Sequence, residues 1–256
     1  MPSRPRARLR RARRFAPLAL AVVFVAGGAA AFVPSAAKIA AQVARANRAA
    51  GRTHSLILSV ALRDADDRTL AEGELTTDSR GLARLELAGG SERYLLRGGE
   101  YLAARGGTVR SAPPPYLPPL FLLQAGDGDR VLAGVLSLGA ASDEAVLGRY
   151  DGAICWVLGG RDLTAPANPS AASVGSPGPK SAVWVRREDF RIVRIDHADG
   201  TRFLLGPERD QGGVKLPEWV RIERPGTPVT RLDILGARRG RFDLSVTFGM
   251  DWLLGR

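Results

Sequence analysis

Short segments in which apolar and polar residues alternate, separated by glycine turns, constrain this chain more than any other feature. In the first of them Leu56, Leu58, Val60 and Leu62 share one face, and an acidic turn at residues 64–67 follows. Similar segments recur to about residue 248, as expected for neighbouring antiparallel strands. The pattern predicts one large antiparallel sheet of about nine to eleven strands.

Helical spacing is confined to two places. Residues 35–50 place Ile39, Val43 and Ala46 at intervals of three and four before Gly51, which predicts an N-terminal helix. In mid-chain, three short apolar stretches at 120–123, 131–136 and 142–147 predict short helices. Many strands with only these helices predict an α+β fold. Because so large a sheet must curl to protect its edges, we expect it to form a half-open β-barrel. The helical insert is expected to cover the concave face of this barrel.

Two stretches predict loops, and the chain end predicts a strand. Residues 106–119 end in consecutive prolines, which cannot join a strand ladder, so this segment is expected to be a loop that connects the sheet to the insert. A proline-rich ligand for another protein is the alternative. Residues 165–180, rich in Pro, Ser, Gly and Ala, predict a surface loop. Alternation in residues 242–248 predicts a closing strand.

The N-terminus has the pattern of an export signal. Seven arginines lie within the first fourteen residues, and residues 15–33 then carry no charge. Cleavage after Ala31 or Ala37 would release a single domain at residues 38–256, whereas an uncleaved segment 15–33 would anchor it in the membrane. Both alternatives place the domain outside the cytoplasm.

The net charge of +11 is concentrated in that same segment. Without residues 1–37 the net charge falls to +4, and the remaining arginines alternate with carboxylates instead of forming a stripe. We therefore expect no nucleic-acid partner.

Residues with catalytic or metal-binding potential are few. His197, between Asp196 and Asp199, is the sole candidate for a general base, but this segment is better explained as a hairpin turn. Cys155 lies in a strand that is apolar on both faces, which predicts a buried thiol. The sequence predicts no cofactor, no metal site and no enzymatic activity.

One stretch near the C-terminus carries a family resemblance. Its order is a Val-Trp-Val strand, a second strand, an Asp-Gly turn and a Leu-Pro-x-Trp strand. It resembles the outer-membrane lipoprotein-sorting (LolA/LolB-like) superfamily, although two arginines stand where that family has an aspartate after the tryptophan strand. The residues concerned are Val183-Trp184-Val185, Arg186-Arg187, Phe190 to Asp196, Asp199-Gly200 and Leu216-Pro217-Glu218-Trp219.

The resemblance implies an unclosed barrel in the periplasm whose apolar cavity holds acyl chains. We therefore expect a monomeric periplasmic binding protein for lipid or lipoprotein acyl chains, with a membrane-bound donor or acceptor protein as a further partner. The alternative is a membrane-tethered envelope sensor or scaffold that binds a protein through the same fold. The candidate ligand-lining residues are Leu120, Leu122, Val131, Leu132, Val135, Leu136, Trp156, Trp184 and Trp219.

Overall fold

Fifteen strands and four α-helices make up the part of the chain that this computed structural model describes, residues 34–111, 117–140, 145–160 and 180–256. The helices are α1 (Ala36–Ala49), α2 (Gly128–Ser137), α3 (Leu244–Thr247) and α4 (Met250–Leu254). The first eight strands are β1 (Leu56–Arg63), β2 (Thr69–Asp78), β3 (Leu82–Leu87), β4 (Glu92–Arg97), β5 (Glu100–Arg105), β6 (Thr108–Ser111), β7 (Ala145–Tyr150) and β8 (Ala153–Gly159). The others are β9 (Ala182–Arg186), β10 (Ile192–Asp196), β11 (Arg202–Leu205), β12 (Glu208–Asp210), β13 (Lys215–Pro217), β14 (Trp219–Glu223) and β15 (Thr230–Arg239).

Thirteen of these strands form one open antiparallel sheet. Their order is β6-β5-β4-β3-β2-β1-β15-β14-β11-β10-β9-β8-β7, and β12 and β13 form a separate hairpin. The predicted α+β half-barrel is confirmed, with two more sheet strands than the upper expected number. One addition is β6, which lies where the sequence predicts a loop at residues 106–119, and another is β7, which lies where the sequence predicts a short helix at residues 142–147.

Strand alternation sorts the sheet into two faces, as period-two side-chain geometry requires. Leu56, Leu58, Val60 and Leu62 of β1 all point into the main apolar core, and we call the face of the sheet they belong to the inner face. In β8, Trp156 and Leu158 belong to the same core, whereas Cys155 and Val157 form a separate cluster on the outer face. The inner face is therefore apolar from β1 to β8.

Helix α1 begins and ends where the sequence predicts. The Ser35 side chain accepts a hydrogen bond from the Lys38 backbone N–H, which caps the first turn. Ile39 and Val43 pack into the main core. The helix stops before Gly51, whose φ of +71° is a left-handed conformation that glycine adopts without strain.

Two local predictions are wrong besides the loop that β6 replaces. Residues 145–147 lie in β7, not in a helix, because Leu147 pairs directly with Trp156 of β8. Residues 242–248 contain helix α3 where a strand was expected. There the Asp243 side chain accepts from the Ser245 backbone N–H at 3.0 Å and so caps a helical turn, which overrides the alternation of apolar residues.

The segment that joins the two edge strands covers the inner face. This insert, defined here as residues 117–140, consists of a 3₁₀ turn at Leu120–Leu123 and helix α2, which Asp127 caps. Leu120, Leu122 and Val131 lie fully in the main core with the inner-face strand residues. The predicted helical cover is therefore confirmed.

Several predictions fall outside the described residues. These are the export signal or anchor within residues 1–33, the proline-rich loop at 112–116 and the surface loop at 165–179. Within the described ranges, no helix combines the length and the hydropathy that a membrane-spanning segment requires.

Candidate functional site

The insert fills the hollow of the curled sheet. Phe121 and Leu122 are buried against α2, where Gly134 allows their close approach: a Cβ there would lie 2.6 Å from Leu122 Cδ2. At the end of α2, Leu138 and Ala140 also join the main core. The apolar inner face is thus occupied by the chain's own side chains.

Asn47 fixes one side of the insert from helix α1. Its Nδ2 donates to the backbone carbonyls of Leu122 and Ala125, both at 3.0 Å. The Asn47 Oδ1 accepts from Arg52 Nη2 at 3.1 Å, which orients the amide. Because all of these atoms are buried, losing the amide would leave two carbonyls without a donor.

Gln124 fixes the insert to the sheet. Its Nε2 donates to the backbone carbonyl of His54 at 2.8 Å, and its Oε1 accepts from Thr77 Oγ1 at 2.9 Å. The Gln124 side chain is itself buried. Two carboxamides, one on α1 and one on the insert, therefore hold the cover in register.

Among the described residues, one margin of the inner face is left uncovered. Leu147 of β7 and Ile154 of β8 are 44% and 41% exposed, although both lie on the same face as the buried Trp156. The Arg187 guanidinium lies 5.8 Å from the centre of the Trp156 ring. The apolar inner face thus reaches solvent at the β7 edge of the sheet.

A second feature is a cavity of about 290 Å³ at the end of strands β7 to β11, which we call the arginine pocket. It reaches the main core at Leu123, Ile192 and Leu205. Its other lining residues are Arg52, Tyr150, Asp151, Ala153, Arg186, Arg191, Val193, Gly206, Pro207, Glu208, Pro217 and Trp219.

A chain of ion pairs runs along this pocket. Arg52 Nη1 lies 2.6 Å from Glu208 Oε1, and Arg191 Nη1 lies 3.1 Å from Glu208 Oε2. Arg191 also pairs with Asp189 at 3.2 Å, and Arg186 donates to Asp189 Oδ1 at 3.0 Å. Three guanidinium groups therefore share two carboxylates.

Arg52 is the deepest member of this chain, with a side chain only 1% exposed. Burial lowers its pKa, and the Glu208 carboxylate opposes that shift. An arginine stays protonated even so. Its Nε has no hydrogen-bond partner among the described residues. The other two nitrogens of the guanidinium donate to Glu208 and Asn47. Glu208 Oε2 is likewise buried and accepts no hydrogen bond among the described residues.

Trp219 forms one wall of the pocket. Its indole ring packs on the backbone of Gly206, where an added Cβ would lie 2.5 Å from the ring. Only glycine leaves room for this contact, so Gly206 is required for the observed position of the Trp219 ring.

At a separate point on the inner side, β5 meets the β10–β11 turn. His197 Nε2 lies 3.3 Å from the Tyr101 hydroxyl, and the His197 ring contacts the edges of Tyr101 and Phe203. Burial lowers the pKa of His197, and nearby Asp199 and Asp196 oppose that shift. Burial also raises the pKa of Tyr101. The predicted hairpin at 196–200 is present, since the His197 N–H donates to the Thr201 carbonyl at 2.8 Å.

The structure separates the nine predicted ligand-lining residues. Most pack together in the main core, Leu136 is 58% exposed on α2, and Trp184 lies in the outer-face cluster with its Nε1 donating to Asp196 Oδ2 at 2.8 Å. Trp219 lines the arginine pocket. Those in or against the main core are Leu120, Leu122, Val131, Leu132, Val135 and Trp156. Their role as ligand contacts stays a prediction.

Cys155 and His197 are the residues whose chemistry the sequence singled out. The described residues contain no group of three His, Cys, Asp or Glu side chains placed to hold a metal ion. Cys155 is fully buried, as predicted, and burial raises the pKa of its thiol. His197 has aromatic rings as its neighbours.

Sequence reasoning missed the arginine pocket. Its central pair, Arg52 and Glu208, is separated by 156 residues, and no local pattern connects positions so far apart. One part of the pocket could have been predicted, because Arg186 and Arg191 flank Asp189 in a short turn. Arginines are so frequent elsewhere in the sequence that this cluster did not stand out.

No family model and no curated protein sequence matches this chain. Among solved structures, a LolA superfamily protein from Nitrosomonas europaea is similar over 86% of this chain and all of its own length, with 13% identity and a TM-score of 0.52. A domain assigned to outer-membrane lipoprotein sorting from Vibrio parahaemolyticus covers 85% of this chain and 99% of its own, at 11% identity and a TM-score of 0.47. A DUF1329 family protein from Desulfovibrio piger covers 83% and 97%, at 12% identity and a TM-score of 0.46. The similarity to the protein from Nitrosomonas europaea confirms the resemblance to the LolA superfamily at the level of the fold alone.

Proposed function

We propose that this chain is a non-enzymatic periplasmic binding protein that holds acyl chains of lipids or lipoproteins against the inner face of its sheet. One observation carries the proposal: the segment that covers this apolar face also joins the two free edges of the sheet, β6 and β7. A cover attached at both edges can move away while the sheet stays intact. The LolA-like fold supports the proposal.

Ligand binding replaces the chain's own apolar contacts. When the insert moves outward, Leu120, Leu122, Val131 and Val135 leave an inner face that an acyl chain can cover. Each methylene buried there contributes ~0.8 kcal/mol, so eight methylenes contribute about 6 kcal/mol, which offsets part of the lost packing. Because the free energy gained by burying the acyl chain only partly offsets the lost packing of the insert, the ligand could be passed on to an acceptor.

Entry would begin at the uncovered margin. Leu147 and Ile154 already expose apolar surface at the β7 edge, next to Trp156 and the insert-covered core. An acyl chain lying along this margin needs no prior movement of the insert. The exposed margin therefore offers a first contact from which the ligand can displace the cover.

The test is uptake of a fluorescent fatty acid by the purified full chain, together with native mass spectrometry of protein taken from the cell envelope. We expect a bound amphiphile and saturable uptake. Ile154→Glu should weaken uptake about tenfold, because a carboxylate at the margin repels an apolar chain. Leu70→Glu is the matched control, since Leu70 is 54% exposed on β2, which lies far from the β7 edge in the strand order. Absence of both bound lipid and uptake would refute the proposal.

A further inference from the structure

The curl of the sheet brings two distant strands together at one end of the half-barrel. Seven strands lie between β5 and β10 in the sheet order. Tyr101 of β5 and His197, directly after β10, are nevertheless in contact, with the hydroxyl 3.3 Å from Nε2 and the ring centres 5.6 Å apart. We call this contact the clasp. Because it involves no strand pairing, it can open without breaking the hydrogen bonds of the sheet.

The end of the insert lies against both sides of the clasp. On the β5 side, Gly99 packs on the backbone carbonyl of Ser137 in α2, where an added Cβ would lie 3.0 Å from that oxygen. On the β10 side, the Ser181 hydroxyl accepts from the Ala198 N–H at 3.1 Å, and it also lies next to Gly139 of the insert. The insert is therefore held between the two segments that the clasp joins.

The clasp surrounds the imidazole with neutral groups. Tyr101 of β5 and Phe203 of β11 lie edge-on to it, with ring centres 5.6 and 5.7 Å from its own. Burial raises the pKa of the Tyr101 hydroxyl, so this partner stays neutral. Residues 137–140 of the insert carry no charge. The surroundings therefore suit an imidazole and not an imidazolium.

Two carboxylates, both on the turn that carries His197, are the charged groups that act on the ring. Asp196 is already paired, because it accepts hydrogen bonds from Arg194 Nε and Nη2 at 2.7 and 2.9 Å. Asp199 accepts from the Thr201 N–H at 2.8 Å and is exposed, so solvent screens its charge. Burial outweighs their attraction and lowers the pKa of His197. An imidazolium is thus more stable outside the clasp than within it.

We propose that protonation of His197 opens the clasp and frees the end of the insert, which makes ligand entry dependent on pH. The effect on ligand entry rests on the proposed function, whereas the opening itself does not. At neutral pH the imidazole and the Tyr101 hydroxyl share a hydrogen bond, and this end of the half-barrel stays closed. In acid the ring takes a proton from solvent and leaves its aromatic neighbours for water, and β5 separates from the β10–β11 turn.

Hydrogen exchange of the full chain at pH 7.5 and 5.5, followed by mass spectrometry, tests the clasp without a ligand. After correction for the intrinsic exchange rate at each pH, the amides of the insert should lose protection several-fold at pH 5.5. The upper limit is about tenfold, the extent to which a freed imidazole with the ordinary pKa of 6.5 is protonated there.

Two results of this measurement would overturn the inference. One is corrected protection of the insert that does not change with pH. The other is protection of the insert equal to that of β1 at both pH values, because the insert would then open only when the whole sheet unfolds.

Variants assign the pH dependence to one side chain. His197→Phe keeps a ring in the clasp but takes up no proton, so the loss of protection at pH 5.5 should disappear. His54→Gln is the matched control, since His54 is the other histidine of the chain and is exposed; this variant should keep the full loss. A loss that survives His197→Phe would overturn the inference. His197→Gln serves the same purpose if the phenylalanine variant does not fold.

A neutral probe separates this regulation from binding itself. Uptake of fluorophore-labelled dodecanol, whose hydroxyl does not titrate in this range, should be several-fold faster at pH 5.5 than at pH 7.5, and equally fast at both in His197→Phe. Uptake that is independent of pH in the unaltered protein would overturn the link to ligand entry and leave the proposed function standing. Absence of uptake at both pH values would count against the proposed function, while the exchange measurement would still decide the clasp.

Discussion

Two helical segments cover opposite faces of the same sheet, and they are held in different ways. On the inner face the insert is fixed by buried carboxamides, Asn47 and Gln124, which donate to backbone carbonyls. On the outer face α3 and α4 pack on β3 to β6, where Arg84 and Arg93 stack against Trp252 at 4.8 and 5.6 Å. Buried neutral groups thus hold the insert, together with the exposed Arg48, which donates to the Gly126 carbonyl, whereas two largely buried arginines contact α4.

This contrast has a physical basis. Neutral buried hydrogen bonds are short-ranged, so they are lost together once the insert shifts. The outer contacts combine apolar packing around Phe248 and Leu253 with a hydrogen bond from Arg93 Nη1 to the Trp252 carbonyl at 2.8 Å. The release of the insert that the proposed function requires would break these buried hydrogen bonds, whereas it would leave the outer contacts intact.

Removing one buried ring from each cover should give the largest effects. Phe121→Ala and Phe248→Ala should each lower the free energy of unfolding by about 3–5 kcal/mol, because both rings are fully buried. Their effects on binding should differ. Phe121→Ala should tighten fatty-acid binding, since the ligand then displaces a weaker cover, and Phe248→Ala should leave it unchanged. Urea unfolding and fluorescent uptake measure both, and equal effects on uptake would contradict the comparison.

The next largest effect concerns the inner carboxamide. Asn47→Ala should cost about 2 kcal/mol, because the carbonyls of Leu122 and Ala125 lose a buried donor. Gln42→Ala is the control on the same helix, since that side chain bonds only to the exposed Arg45 among the described contacts. If the two variants were equally stable in urea, Asn47 would not be what holds the insert.

A smaller, pH-dependent loss should appear at His197, where β5 closes over the inner side. Its pKa is lowered in the folded chain, so the unfolded chain binds the proton more readily below the ordinary value of 6.5. Stability that is fully present above that pH should therefore decline as the pH falls through it. His197→Phe should flatten the decline between pH 7.5 and 5.5 in urea titrations. An unchanged slope would show that another group is responsible.

The smallest effect concerns the helix that supports the insert. Ser35→Ala should cost about 1 kcal/mol through loss of the α1 cap. The same cap bears on export: cleavage after Ala31 would retain it, and cleavage after Ala37 would remove it together with the buried Ala36. We expect the mature chain to begin at Phe32, as the intact mass of envelope protein would show. A chain beginning at Lys38 would contradict this.

Period-two alternation made the sheet predictable from the sequence, because each strand needs only its own residues to display an apolar face. The same signal misled at residues 242–248, where Asp243 caps a helix whose apolar side chains cover the outer face of the sheet. Alternation indicates that one side of a segment is buried but does not identify the surface against which that side packs. Here that surface is formed by β4 and β5, which are far away in sequence.

The candidate site was less predictable than the fold. Leu120 and Val131 could be assigned to the insert from their spacing, and they do lie in the core. The exposure of Leu147 and the buried pair of Arg52 and Glu208 depend on how distant strands come together. Such features arise from the curl of the sheet, which no local pattern describes.

The central position of the β1–β15 pair also governs how the chain folds. Leu56 lies opposite Arg239, so the first and last strands of the large sheet meet in its middle. Strands β1 to β6 can form a meander from local contacts, as can β7 to β11, but the seam between the two halves closes only when the end of the chain is present. Non-local pairing of this kind slows folding. Late closure of the seam would keep the two halves of the sheet apart until β15 has been synthesised.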